Sequence, residues 1–179
     1  VSATRSAPRK RIGALRRVRR SAGDALGPGA PLRATIAGDG PQLESARAWV
    51  RRHGMEDWVH LPGRLDRAGL QELYRKSDAY LAPVVLEAFS IAVLEAQAAG
   101  LAVVVRSQSG AAERLTDGVD ALVADDDAAL AAAVVALVRE PGLLESITAR
   151  NRSTPPPYDW DDVLARTAAV YDAAAALRA

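Results

Sequence analysis

Two glutamates, Glu87 and Glu95, stand eight positions apart in the segment EAFSIAVLE, which follows a short apolar run. The segment has the pattern of a loop entering an apolar helix, so both carboxylates lie near a predicted helix N-terminus. A helix N-terminus binds phosphate, because its first backbone N–H groups are unpaired and its dipole is positive there. Carboxylates beside such a site do not bind the phosphate, but they suit the hydroxyls of a sugar attached to it. The pair therefore predicts a site for a phosphorylated sugar.

The two carboxylates also have an ordinary structural explanation. Glu87 would then be a charge that favours the helix dipole, and Glu95 would be a solvated helix residue. The neighbours of Glu95 in the sequence are, however, almost all apolar: Ile91, Ala92, Val93, Leu94, Ala96, Ala98 and Ala99. A charge buried in such a helix requires a partner, which favours a functional role for Glu95.

Basic and glycine residues earlier in the chain are further candidates for phosphate binding. Arg5 and Lys10 flank Pro8, and cations that follow a first strand can hold a diphosphate and stabilise a leaving nucleotide. A solvated basic loop is the alternative and, taken alone, the stronger one. Residues 38–40 (GDG) match part of the dinucleotide fingerprint GxGxxG, but the pattern is not completed, so the signal is weak.

Other charged residues have structural explanations that outweigh the functional ones. Eight of the first twenty residues are basic, and residues 12–22 have the pattern of an amphipathic helix. Such a helix attracts nucleic acid or an anionic lipid surface, yet a covering helix with a solvated face is the stronger interpretation. The run Asp125, Asp126 and Asp127 is interpreted as a helix cap rather than a metal site. His53 and His60 are isolated, and we expect surface or capping roles.

The elements that must position these residues alternate between strands and helices. Apolar runs predict strands at residues 32–37, 58–61, 79–84, 102–106 and 121–124, with Pro62 and Gly63 stopping the second. Helices are predicted at residues 41–53, 67–77, from the Glu87 loop to 99, and at 130–139, 142–150 and 161–177. The alternation predicts a doubly wound parallel sheet with helices on both faces, a three-layer Rossmann-like α/β/α domain. Ligands bind at the carboxyl ends of such strands, where both the Glu87 loop and the turn at 38–40 lie.

Composition limits the remaining possibilities. A chain of 179 residues predicts one domain over residues 1–179. A net charge of +1 argues against a nucleic-acid partner, and the lack of Cys excludes disulfides and thiolate metal sites. No apolar run is long enough to span a membrane and no secretory signal is recognisable, so the expected location is the cytoplasm. The first residue is Val1 within a hydrophobic pattern, so we expect a fragment of a longer chain.

Motifs in order along the chain resemble the C-terminal domain of the retaining GT-B glycosyltransferases of group 1. The two glutamates match the E-x7-E signature of that family, and EAQAAGLAVVV continues it. Arg5 and Lys10 match an Arg and a Lys five residues apart. Further matches are the GDGP turn from Gly38, Gly63 after a strand, Gly-x-x-Glu from Gly110, and Trp160 at the start of the last helix. These landmarks cover nearly the whole chain.

The resemblance implies a role for the residues around the signature. Glu87 would approach the donor sugar and orient it for transfer, which makes it a catalytic residue. Glu95 would accept hydrogen bonds from the ribose hydroxyls. The backbone of Phe89, Ser90 and Ile91 would meet the diphosphate.

The resemblance also assigns residues in other loops. Arg5 and Lys10 would join the catalytic set by neutralising the charge of the leaving nucleotide. Gly38, Arg64 and Leu65 would belong to the donor-binding set, the last two near the base. No metal and no cofactor are implied, and the donor would be a nucleotide-diphospho-sugar, with UDP or GDP favoured as the nucleotide.

The chain departs from the family pattern at two positions and in extent. Ser90 stands where the family usually has Gly, and its side chain would either crowd the diphosphate or add a hydroxyl donor. Ser109 replaces the first of two usual glycines. Enzymes of this family have two Rossmann-like domains, so the resemblance implies a missing N-terminal domain that carries the acceptor site. We therefore expect this fragment alone to bind nucleotide weakly and to transfer no sugar.

Three rival functions stay open at this point. A nucleotide-sugar 2-epimerase shares the GT-B architecture, and a stand-alone nucleotide-sugar-binding module would need no catalysis. The basic helix at 12–22 allows a protein that binds anionic surfaces, and peripheral contact with the inner face of a membrane is compatible with a transferase. The acceptor is open among glycans, lipids and small molecules.

Overall fold

The computed structural model describes residues 2–3, 17–18, 21, 32–156 and 158–177. The described strands are β1 (Ser2–Ala3), β2 (Ala34–Ala37), β3 (Val59–Gly63), β4 (Ala79–Ala82), β5 (Ala102–Arg106) and β6 (Ala121–Ala124). The described helices are α1 (Leu43–Arg52), α2 (Arg67–Arg75), α3 (Ile91–Ala98), α4 (Asp127–Arg139), α5 (Pro141–Ser153) and α6 (Trp160–Ala176), and a short 3-10 helix spans Ala112–Arg114. Every element predicted between residues 32 and 177 is present, within a few residues at each end.

The strands form two three-stranded parallel sheets, ordered β1-β2-β3 and β4-β5-β6. β1 also contacts β4, which places the six strands in the order β3-β2-β1-β4-β5-β6. The chain order therefore reverses direction between β1 and β4. In doubly wound folds this switch point opens a crevice at the carboxyl ends of the strands. The predicted fold class is confirmed, whereas the single domain over 1–179 stays a prediction.

The central strand β5 explains how the layers are held together. Its residues Val103, Val104 and Val105 have no exposed surface. Because successive side chains of a strand point to opposite faces, they enter two different cores. Val104 packs in the cluster that contains Leu130 of α4 and Ile147 of α5, whereas Val103 and Val105 pack in the cluster of Tyr74 and Val93, from α2 and α3. The continuous β-branched run correctly predicted a strand covered on both faces.

Glycines end two of the helices as predicted, but the predicted C-terminal end of the second strand, at Leu61, was wrong. Gly54 after α1 and Gly100 after α3 have φ of 59° and 76°, which glycine adopts without steric cost. β3 continues through Pro62 to Gly63 instead of stopping at Leu61. β3 is the outer strand beside β2, where a residue without an N–H group is tolerated, and the pairing register shifts between Thr35 and Ala37.

Much of the basic N-terminal segment lies outside the described residues, including Arg5 and Lys10. Within the predicted helix at 12–22, Val18 is buried and Arg17 is exposed, as an amphipathic pattern predicts. Among the helices in the described ranges, none has the length and apolar character that crossing a bilayer requires.

Candidate functional site

The loop between β4 and α3 leaves the carboxyl end of β4, the strand that neighbours β1. A second loop, which follows β5, holds it in place. The backbone N–H of Gly110 donates to the carbonyl oxygen of Glu87 at 2.8 Å, and the N–H of Glu87 donates to the carbonyl oxygen of Val85 at 3.1 Å. A Cβ at Gly110 would lie 1.9 Å from the carbonyl oxygen of Ala88. The two loops thus meet backbone to backbone, in a space that admits only glycine.

Ser90 occupies the position before the first residue of α3 and has an unusual conformation there. Its φ of 57° and ψ of 80° are left-handed, and no other non-glycine residue in the described ranges has positive φ. The Ser90 carbonyl accepts the N–H of Val93 at 3.0 Å, but its hydroxyl makes no capping bond. The first N–H groups of α3, on Ile91 and Ala92, are therefore left for an anion. Ile91 is 68% exposed, so a ligand can reach this end of the helix.

A cluster of three side chains, which no sequence motif indicates, surrounds the start of α3. The guanidinium carbon of Arg114 lies 4.4 Å from the ring centre of Phe89. Arg114 Nη2 also donates to the Ser90 carbonyl at 3.3 Å. Phe89 meets Tyr158 edge to face, with ring centres 5.5 Å apart. Burial lowers the pKa of Arg114 below its usual value, because the charged form loses contact with water. The cluster joins three segments that are far apart in the sequence.

Glu95 is exposed, which corrects the expectation of a buried charge. α3 turns Val93, Ala96 and Gln97 toward the core, and Glu95 lies on the opposite side despite its apolar neighbours in sequence. The predicted burial of Glu95 was therefore wrong and does not favour a functional role. The carboxylate nevertheless has a partner, because the Tyr74 hydroxyl donates to Glu95 Oε2 at 3.3 Å.

Glu95 lies in an open groove of about 440 Å³ between α2 and α3. Arg67, Gln71 and Tyr74 line it from α2, and Ala98 continues it along α3. The lining combines charged, amide and hydroxyl side chains with apolar ones such as Leu70 and Ala98.

Tyr74 gives a pH-dependent prediction. Burial raises its pKa above the usual range, with smaller contributions from Tyr80 and Glu95. Below about pH 10 the hydroxyl is neutral in the folded and unfolded chain alike. As the pH rises further, the unfolded chain ionises first, so the free energy of unfolding falls. Urea unfolding between about pH 9 and pH 11 is expected to show a steeper loss of stability for the wild type than for Tyr74→Phe. Equal slopes would show that Tyr74 does not carry this dependence.

The residues assigned to the nucleotide side lie at the ends of β2 and β3. Gly38 follows β2 with a φ of 137°, and its N–H donates to the Gly63 carbonyl at 2.7 Å. Arg64 is exposed and Leu65 is partly buried directly after Gly63. Two residues further on, α2 begins with Arg67, which lines the Glu95 groove. The structure thus brings Gly38 beside the Arg64 loop, and α2 connects that loop to Glu95.

The acidic run and the histidines have the structural roles that were predicted. Asp126 Oδ1 accepts the N–H groups of Ala128 and Ala129 and caps α4. These hydrogen bonds lower the pKa of Asp126, and the one from Ala129 contributes more than the one from Ala128. His53 ends α1 with Nδ1 2.7 Å from a backbone carbonyl, and His60 is exposed. Within the described ranges, no group of three or more His, Cys, Asp or Glu is placed to hold a metal ion.

Fold and site together define a Rossmann-like domain with an uncapped helix N-terminus at the switch point of a parallel sheet. The sequence matches the family model "Glycosyl transferases group 1" over residues 12–140, and the chain belongs to that family. The resemblance inferred from the motifs is thereby confirmed.

Curated relatives support the same family. Glycogen synthase of Mycobacterium tuberculosis (strain ATCC 25618 / H37Rv) is 35% identical over 167 residues, which cover 91% of this chain and 38% of that protein. Phosphatidyl-myo-inositol mannosyltransferase of Mycobacterium leprae is 37% identical over 141 residues, covering 77% of this chain and 36% of that protein. The chain therefore spans less than two fifths of the length of these relatives.

Solved structures show the same fold. Sucrose-phosphate synthase from Thermosynechococcus elongatus superposes with a TM-score of 0.79 at 21% identity, over 98% of this chain and 45% of that one. The pneumococcal O-GlcNAc transferase GtfA, solved in complex with UDP and GlcNAc, gives a TM-score of 0.73 at 24% identity, over 85% of this chain and 31% of that one. These neighbours are GT-B glycosyltransferases, and at such identities the likeness concerns the fold alone.

Proposed function

We propose that this chain is the donor-binding domain of a retaining, metal-independent glycosyltransferase and that it binds a nucleotide-diphospho-sugar. The observation that carries the proposal is the uncapped N-terminus of α3, which stands between Glu87 and Glu95 at the switch point. Free N–H groups and the positive end of the helix dipole suit the diphosphate. The UDP in the GtfA complex supports this class of ligand.

The two glutamates then have different tasks. Glu87 is half-buried in a loop whose backbone is fixed at Glu87 itself, and we assign its carboxylate to orienting the donor sugar. Glu95 is exposed on α3 and is held by Tyr74 through Oε2. In the described part of the chain no other group bonds the Glu95 carboxylate, so Oε1 remains for a ribose hydroxyl.

Cations and loops at neighbouring strand ends complete the proposed site. Arg5 and Lys10 follow β1 in the chain, and β1 lies beside β4. We assign these two cations to the diphosphate, whose negative charge grows as the sugar leaves. Arg64 and Leu65 are assigned to the base and Gly38 to the loop beside them, consistent with the path from Gly63 into α2.

A second domain is part of the proposal. Along α6, which has no buried residue, Trp160, Leu164, Val170 and Tyr171 are between 61% and 77% exposed. An apolar surface of this kind marks a contact site, and the relatives are more than twice as long as the matched segment. We assign the acceptor site to that second domain, and we expect the present chain alone to bind nucleotide without transferring sugar.

The ribose contact gives a test by calorimetry with UDP, GDP and ADP. We expect Glu95→Ala to weaken binding of the preferred nucleotide by about 1–3 kcal/mol, roughly 5- to 150-fold in Kd, because a hydrogen bond to a charged group is lost. Glu145→Ala is the matched control, since Glu145 is an exposed carboxylate on α5, outside the groove.

Two outcomes would contradict the proposal at different levels. A folded sample that binds none of the three nucleotides would contradict the donor-binding function itself. A wild-type chain that binds nucleotide with an affinity unchanged by Glu95→Ala would contradict the ribose role alone.

A further inference from the structure

Ser90 is the residue whose conformation decides where the free N–H groups of α3 point. A peptide unit is planar, so the Ser90 carbonyl and the Ile91 N–H lie in one plane and point in opposite directions. Any contact that fixes the carbonyl oxygen therefore fixes the Ile91 N–H as well. The left-handed φ of 57° is sparsely populated for a residue with a Cβ, and it persists only where surrounding contacts determine it.

Arg114 supplies such a contact from outside the loop. Its Nη2 reaches the Ser90 carbonyl at 3.3 Å, and its guanidinium stacks on Phe89, the residue before Ser90. Its Nε is buried and has no hydrogen-bond partner among the described residues. The side chain is thus held by one carbonyl and one ring, both belonging to the loop that enters α3.

The position of Arg114 is itself well supported. Arg114 ends the short 3-10 helix that follows Gly110, and Gly110 donates to the Glu87 carbonyl at 2.8 Å. The Phe89 ring, on which the Arg114 guanidinium lies, also packs edge to face against the ring of Tyr158. The segment from Gly110 to Arg114 therefore contacts both ends of the loop from Glu87 to Ser90.

We propose that Arg114 is a positioning residue for the donor site, which holds Ser90 in its left-handed conformation and keeps the Ile91 and Ala92 N–H groups directed at the diphosphate. This inference rests on the proposed nucleotide-sugar function. It assigns the effect of Arg114 to the backbone at Ser90, not to direct contact of the guanidinium with phosphate.

A double-mutant cycle between Ser90→Gly and Arg114→Met separates these two mechanisms. Glycine adopts positive φ without the Cβ clash, so the Ser90→Gly variant reaches the left-handed conformation at a lower cost and depends less on the guanidinium. Calorimetry uses whichever of UDP, GDP and ADP binds the wild type most tightly. We expect Arg114→Met to weaken binding about tenfold in the wild-type background and by less than about threefold in the Ser90→Gly background.

Control variants keep the cycle interpretable. Arg150→Met removes an exposed arginine from α5 and is expected to leave the nucleotide affinity unchanged. Arg114→Lys retains a cationic donor and is expected to recover part of the affinity that Arg114→Met loses. Urea unfolding of each variant shows that the samples compared are folded, and Arg114→Gln replaces Arg114→Met if the latter is not.

The outcomes decide between the alternatives. Equal losses from Arg114→Met in both backgrounds would overturn the inference, because direct contact with the ligand predicts additivity. An unchanged affinity in Arg114→Met would overturn it as well. A folded wild type that binds no nucleotide would overturn the proposed function and this inference with it. That result differs from the other two outcomes, because both of them require that the wild type binds nucleotide.

Discussion

Gly110→Ala is expected to abolish nucleotide binding and to lower the free energy of unfolding by about 1–3 kcal/mol. The added Cβ would lie 1.9 Å from the Ala88 carbonyl oxygen and 2.8 Å from its carbon. Both atoms belong to the backbone, so no side chain can rotate away, and the loop that carries Glu87 has to shift. The shift would also stretch the 2.8 Å bond between Gly110 and Glu87. Calorimetry with nucleotide and urea unfolding measure the two effects.

Gly142→Ala is the matched control for this substitution. A Cβ at Gly142 would meet no atom within 4 Å, and the residue lies in the first turn of α5. We expect unchanged nucleotide affinity and equal or slightly higher stability, because alanine is the better helix former. A Gly110→Ala variant that binds and unfolds like Gly142→Ala would show that the close approach of the two loops does not shape the site.

Arg106→Met is expected to have the largest effect on stability, a loss of about 3–5 kcal/mol. Arg106 ends β5, and its side chain is 8% exposed. Its Nη1 lies 2.8 Å from Asp127 Oδ1, and its Nη2 donates to the Asp125 carbonyl at 2.6 Å. Methionine retains much of the volume but removes the cation from a carboxylate that is 16% exposed. The start of α4 would lose its attachment to the central strand, which urea unfolding detects as a lower free energy of unfolding.

An exposed ion pair provides the comparison for Arg106. Arg75 and Glu72 are 2.7 Å apart, but their side chains are 71% and 44% exposed. Solvent-exposed pairs contribute about 0–1 kcal/mol, so Arg75→Met is expected to change stability little. If Arg106→Met costs no more than Arg75→Met, the buried pair does not hold α4 to the sheet.

Features fixed by short-range patterns were predictable from the sequence. The run AVVVR predicted β5 with both of its ends correct, since buried β-branched residues leave little choice of structure. Gly54, Gly100 and Asp126 act as helix-end residues in the predicted places. In each case the physical cause lies within a few residues of the signal.

Burial on α3 was not predictable in the same way. The helix is apolar nearly all round, so its sequence does not identify the face that meets the sheet. Packing turns Val93 and Ala96 inward, and Glu95 toward the groove and Tyr74. An exposed Glu95 suits a ligand better than a buried one, although its predicted burial was wrong.

Contacts between distant segments could not be predicted from the sequence. Phe89, Arg114 and Tyr158 are separated by 25 and 44 positions, and no motif relates them. The left-handed backbone of Ser90 depends on these surroundings. Whether its side chain crowds the diphosphate or adds a hydroxyl donor stays a prediction. The roles of Arg5 and Lys10 stay predictions, because both lie outside the described residues.

We propose that the diphosphate of a nucleotide binds at the N-terminus of α3. A two-dimensional amide NMR titration of this chain, with UDP, GDP or ADP and with the matching nucleoside, measures this binding at the backbone itself. We expect saturable shifts of the Ile91 and Ala92 amide signals with the nucleoside diphosphate and much smaller shifts of these signals with the nucleoside. If these amides stay unmoved at saturating nucleotide, or move equally with the nucleoside, the diphosphate does not bind at this helix end.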